Sequence, residues 1–367
     1  MLLKRCGKPV LTAILTLLAL NCAPRAEAKE YLLTGTKPDR LFLVDAKARK
    51  VEKRYIVPEA GDAIATIVPS PDGKRAYVLT NHMSSISGID LENGKQVFRA
   101  DFPEDNLNIK AFFAFDISPD GKEIFVYEMP TRLHPAEYEV LEPRIAVYNT
   151  DAGLQAKPVR VFPAPRRIHL LIMPKDGGAL YALGFDLYKM NPKTGQIIDT
   201  IGVRNWQRPN YSIPDVLDFW PLWEQTGIFS TPYYTVRTDM PAGDPQAAKS
   251  GLMTLDLKTG ETHFADFETT SVLMFSSVIS PTRPNEVFAV YTQLSKIDRE
   301  KNAVVKRVDL PHTYYVANIS GDGNEVYLGG TMCDIGVYDH ESLVRLGEIR
   351  LPGCGDMGLT SMRMIQR

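Results

Sequence analysis

The chain has 367 residues, 44% of them apolar and 23% charged, with a formal net charge of −2. That balance excludes the basic footprint of a nucleic-acid binder and the low-hydrophobicity, high-charge composition of a disordered chain. No apolar run reaches the roughly 20 residues that a membrane-crossing helix requires.

The first element is an export signal. Lys4, Arg5 and Lys8 precede an apolar run from Val10 to Leu20, and Ala26-Glu27-Ala28 supplies the small-x-small pattern that signal peptidases cut. We expect residues 1–28 to be a signal peptide cleaved after Ala28, with delivery to the periplasm. Cys22 follows Asn21, a bulky polar residue where a lipid-anchoring site wants a small one. Loss of the leader moves the formal charge from −2 to −5 and leaves two cysteines, Cys333 and Cys354. An even pair in an exported chain favours a disulfide over a metal site.

From Lys29 onward the chain repeats itself. One unit is an apolar strand, a Pro/Gly turn and a second apolar strand: IVPSPDGKRAYVL at 67–79 and DISPDGKEIFVY at 116–127, with weaker copies at 171–183, 278–290 and 318–328. A second unit is a strand ending in Asp or Asn followed by a polar turn, at Asp45, Asp90, Asn149, Asn191, Asp256, Asp298 and Asp339. Pro-Asp-Gly presets a tight turn, and Asx turns do the same by bonding their own backbone. Val, Ile, Tyr and Phe flanks suit a pleated, buried surface. Short strands repeating about every 42 residues are the period of a propeller blade. The expected fold is therefore all-β: one domain over 29–367, a seven-bladed propeller of four-stranded antiparallel blades.

With strands lettered A to D from the axis outward, A–B turns carry Pro-Asp-Gly and C–D turns carry Asp or Asn. The chain opens on Tyr31–Thr34 and Leu41–Asp45, which read as B and C of blade one. Its missing A strand is expected from Leu359–Ile365, an alternating segment near the C-terminus that would close the ring and remove exposed edges. The regular turns fall on one face, here called the first. Three insertions, Met129–Pro143, Gly202–Ile213 and Pro232–Ser250, belong to B–C or D–A connections and fall on the second face, where long loops on a rigid scaffold mark a working surface. Trp206, Trp220 and Trp223, all the tryptophans of the chain, lie in or beside these segments with Tyr233 and Tyr234. These five are candidates for an interface or cavity wall, set against the alternative that they fill wedges between blades. Strand order also places Cys333 and Cys354 together on the second face near the closure.

No metalloprotease, nucleophile-elbow, phosphate-loop, dinucleotide or haem-attachment motif occurs, and the six histidines show no ligand spacing. No catalytic, cofactor-binding or metal residue is expected in this chain.

The Ser-Pro-Asp-Gly-Lys units followed by Ile-Asp-Leu-x-x-Gly-Lys resemble the bacterial YVTN-type propellers. Over the mature length the chain resembles the β subunits of quinohemoprotein amine dehydrogenases. The resemblance implies a periplasmic heterotrimer with a di-haem cytochrome c subunit, holding haem c, and a small subunit bearing cysteine tryptophylquinone. That complex oxidises primary amines to aldehyde and ammonia, with the chemistry on the small subunit; the propeller scaffolds it and walls the substrate cavity. Two alternatives stay open: the heavy subunit of a tryptophan-tryptophylquinone amine dehydrogenase, and an exported binding propeller without enzymatic activity.

Overall fold

The computed structural model describes residues 29–216, 220, 222–358 and 360–367, so the expected leader lies outside the described residues. Seven antiparallel sheets follow one another along the chain, and they form a β-propeller. The local reason is legible turn by turn. In blade two Gly73 N–H bonds Ser70 O at 2.9 Å, Ser70 Oγ contacts Asp72 at 2.6 Å, and Gly73 takes φ +67°. Ser118, Asp120 and Gly121 repeat this set in blade three, as do Ser320, Asp322 and Gly323 in blade seven. At the other regular turn, Asp90 Oδ1 accepts from the N–H groups of Glu92 and Asn93, and Asp256 does the same for Lys258 and Thr259.

The core lies between blades. Successive residues of a strand point to opposite sheet faces, and in a propeller both faces are covered. In blade one Leu32, Phe42 and Val44 pack toward blades six and seven, while Leu33, Leu41 and Leu43 pack toward blade two. That is why Arg40–Asp45 reads RLFLVD, a nearly unbroken apolar run. The outer strands, such as Lys50–Ile56 and Ile197–Ile201, are largely exposed and polar or mixed.

Ring closure joins the two ends of the chain. Arg363–Gln366 pairs antiparallel with Glu30–Thr36, Leu33 opposite Arg363 and Glu30 opposite Gln366, and supplies the inner strand of blade one. Of the expected Leu359–Ile365, Leu359 lies outside the described residues, and Thr360 and Ser361 bond through side chains rather than in the ladder. Thr360 Oγ1 donates to Gly35 O, and Ser361 Oγ exchanges bonds with Ile67 N and O of blade two.

Two blades depart from the pattern. Blade three gains two strands, Leu107–Lys110 and Tyr138–Val140, both paired to the long strand Glu123–Leu133. In blade five the inner strand, among the described residues, is Asp215–Val216, against Tyr233 and Tyr234. The hairpin behind it, Ile228–Val236 with Ala248–Asp256, is nine residues a side. Much of the expected insertions at Met129–Pro143 and Pro232–Ser250 is thus extended hairpin rather than loop.

Candidate functional site: the central channel

Inner strands A line the axis of the ring. In six blades they reach from the second face to the first. In blade five the described part of that strand is Asp215–Val216, and Trp220 lies against other blades. The Trp220 ring stacks on Tyr315 of blade seven, centroids 5.6 Å apart and 9° from parallel, and meets Phe113 of blade three edge-on at 6.4 Å. One indole therefore touches blades on opposite sides of the axis, and Leu222 packs with blades six, seven and one. Gln225 Nε2 then donates to Ile319 O of blade seven at 2.7 Å. Trp220 thus fills the channel near the second face, and Gln225 lies toward the first.

On the second face the plug is surrounded by rings. Phe275 lies 4.4 Å from Tyr291 and 5.2 Å from Tyr315, Tyr291 runs nearly parallel to Tyr315, and Phe112 abuts Phe113. Phe275, Tyr291 and Tyr315 are half-buried and Phe112 is 40% exposed, so together they form an aromatic platform open to solvent. The same face carries further exposed apolar side chains: Tyr138, Val140, Ile213, Leu273 and Met332.

On the first face the channel opens as a funnel of about 720 Å³, within the roughly 300–1,000 Å³ typical of small-molecule sites. Val68, Ile117, Met173 and Ile365 wall it, one or more from each of four blades, and Trp223, Glu224 and Gln225 of blade five enter from the side. Its floor is charged. Arg363, buried in the closing strand, pairs with Glu224 and reaches Ile67 O. Asp116 is fully buried; Oδ2 accepts from Met173 N at 2.7 Å and Oδ1 from Ile117 N at 2.9 Å. Desolvation pushes the Asp116 carboxyl up to about 6, against the pull of Arg363 and the two N–H groups. Burial likewise lowers the Arg363 guanidinium, which Asp116 supports.

The five sequence candidates separate. Trp220 is the plug and Trp223 a wall of the first-face funnel, opposite to the face expected for it. Tyr233 is fully buried between blades four and five, its hydroxyl donating to Asp266, which also accepts from the Arg208 guanidinium and the Tyr211 hydroxyl. Trp206 is half-buried on that cluster, edge-on to Tyr233 and Phe264, and donates to Ser212 O. Tyr234 is half-buried and bonds the backbone of Met274. Only Trp206 and Tyr234 of the five keep a partly exposed surface on the second face; the others pack inside because an indole or phenol is the volume a widening gap needs. The structure bonds Cys333 to Cys354, Cα atoms 4.7 Å apart, beside the closing segment.

Asp116, Arg363 and Glu224 are functional candidates that no motif signals. Asp116 opens the DISPDG unit of blade three, whereas Arg363 and Glu224 come from the two blades, one and five, whose inner strand is irregular. Glu286, His340 and Glu341 form the one grouping with metal-ligand geometry among the described residues. The Lys296 ammonium sits between Glu286 and Glu341 at 3.1 and 2.9 Å, and Arg283 donates to His340 Nδ1 at 2.8 Å. Two cations, Lys296 and Arg283, already occupy that cluster, which ties blade six to blade seven.

No protein-family model matches the chain, and no curated protein matches it in sequence. Among solved structures it is similar to a chain of Kuenenia stuttgartiensis hydrazine synthase. The TM-score is 0.54 at 14% identity, over 87% of this chain and 95% of that one. A likeness at that identity shows the fold, the β-propeller, and nothing finer.

Proposed function

We propose that this chain is the propeller subunit of an exported, periplasmic amine dehydrogenase of the quinohemoprotein type. It would hold a quinone-bearing small subunit on its second face beside a di-haem cytochrome c subunit. The observation that carries the reading is the aromatic platform, Phe112, Phe275, Tyr291 and Tyr315 around the Trp220 plug. Amine oxidation through a quinone needs a cavity from which water is excluded. A rigid, half-buried set of rings over a blocked channel offers such a wall, because the plug stops water from entering along the axis. The quinone supplies the covalent and redox chemistry in the small subunit. This chain's residues bury that subunit, orient it and keep the cavity dry. Aromatic anchors are suited to this, since they dominate the buried centres of interfaces.

The test is co-expression of the chain with candidate small and cytochrome subunits from the same source, followed by size-exclusion chromatography, visible spectra and amine-dependent dye reduction. The expected result is one complex carrying haem and quinone bands, with assembly weakened at least tenfold by a Tyr315→Ala, Tyr291→Ala double variant that still folds. A complex with quinone and no haem moves the chain to the tryptophan-tryptophylquinone type. Failure to assemble with either leaves a binding propeller and sinks the reading.

A further inference from the structure

The first-face funnel has no part in that docking, and its floor carries an unusual combination. A buried guanidinium and a buried carboxylate lie together without a direct ion pair, since Arg363 is paired to Glu224 and Asp116 is held by two backbone N–H groups. Two buried donors of residues that line the funnel, Arg363 Nε–H and Trp223 Nε1–H, have no acceptor. A buried polar group left unpaired is costly, so positions of this kind are expected to meet a partner. Arg363 and Trp223 both line the funnel, as do Asp116 and Glu224.

The charges limit what that partner is. At the floor two carboxylates face one guanidinium, and Lys175 adds an ammonium to the lining, so the funnel presents both signs of charge in balance and favours neither a simple anion nor a simple cation. A simple cation leaves the two N–H donors unmatched and meets Arg363. A ligand carrying both charges answers each side: acceptor oxygens for the donors, an ammonium for the carboxylates. Charge-assisted hydrogen bonds of this sort are about twice as strong as neutral ones. The walls above the floor, Val68, Ile117, Met173 and Ile365, are apolar and suit a hydrocarbon side chain. We propose that the funnel binds a small zwitterion of the α-amino-acid type, its carboxylate toward Arg363 and Trp223, its ammonium toward Asp116 and Glu224, and an apolar side chain against the walls. This site opens on the face opposite the aromatic platform and does not depend on the docking reading.

Calorimetric titration of the purified chain with three matched probes tests it: L-leucine, 3-methylbutylamine, which lacks its carboxylate, and 4-methylpentanoate, which lacks its ammonium. Leucine is expected to bind, and each half to bind at least tenfold more weakly. No binding of leucine, or a half that binds as well as the whole, overturns the proposal. Trp223→Phe keeps the ring and deletes one donor. It is expected to weaken leucine binding several-fold at unchanged melting, and binding equal to the parent overturns the part given to Trp223. Where that variant melts lower, the three-probe comparison on the unaltered chain decides. The readout uses the chain alone, so failed subunit assembly leaves it untouched.

Discussion

Blade one and blade five both lack a regular inner strand, and they solve the loss in opposite ways. Blade one borrows Arg363–Gln366 from the far end of the chain, so its sheet is complete and the ring is sealed by backbone pairing. Blade five keeps, among the described residues, Asp215–Val216 in the sheet, and its Trp220 packs in the channel against blades three and seven. One repair is made of ladder hydrogen bonds, the other of side-chain burial. They meet where Arg363 of the first pairs with Glu224 of the second. A repeat scaffold therefore tolerates two defects when each fills space that the other needs, and the Arg363–Glu224 pair at the channel floor is their joint product.

The largest effect is expected from breaking the blade-one repair. Deleting residues 357–367 removes the borrowed strand, leaves the inner edge of Glu30–Thr36 unpaired and exposes Arg363's partners. Chromatography of the truncated chain should find aggregate rather than monomer. A monodisperse product with the parent's melting temperature would mean that backbone closure contributes little.

Blade five is probed by Trp220→Ala. Emptying a buried indole site costs about 3–5 kcal/mol, whereas Trp206→Ala, at a half-buried ring with one hydrogen bond, should cost about 1 kcal/mol. Denaturant unfolding of the two variants side by side checks the difference. Equal losses would mean that Trp220 is one wedge filler among several and does not hold the channel.

Reduction of Cys333–Cys354 comes next. The bridge closes a 21-residue separation, and a loop of that length contributes roughly 3 kcal/mol by constraining the unfolded chain. Leu351 N–H bonds Cys333 O and Lys37 N–H bonds Asp356 O on either side of it. Melting should therefore drop with reductant in the parent and be unaffected by it in a Cys333→Ser, Cys354→Ser variant.

The smallest effect concerns the floor where both repairs meet. Asp116 titrates near 6 in the folded chain against an ordinary value of 3.8, so the folded state holds its proton more tightly than the unfolded state. Its contribution to stability is full below about pH 3.8 and is lost as pH rises through 6, a change on the order of 2–3 kcal/mol. The charged groups facing it are Arg363 and, through that residue, Glu224. Unfolding measured between pH 7.5 and 5 should show about half of this gain in the parent and lose it in Asp116→Asn. A parent with no difference from the variant would place Asp116 in contact with water.

The repeat was legible because its determinants are local. Ser70, Asp72 and Gly73 sit within four residues and bond one another, so the same letters make the same turn wherever they recur. Alternation within strands such as Leu32 and Leu33 then dictates that both faces are covered. Closure was legible from an unpartnered strand at each end, although Thr360 and Ser361 bond through hydroxyls rather than in the ladder. The second-face insertions were legible in place but not in form, since Tyr138–Val140 and Ala248–Ser250 pair as strands.

What the amino-acid order alone determined is the seven-fold ring, its turns and the blade that needs a borrowed strand. Only the tertiary structure decided where blade five's displaced segment goes, that Trp220 crosses the axis, and that Glu224 meets Arg363 across 139 residues of chain. No local pattern encodes a partner that distant. A tryptophan has the same preference for burial at a wedge, a plug or an interface, and packing against the finished ring selects among them.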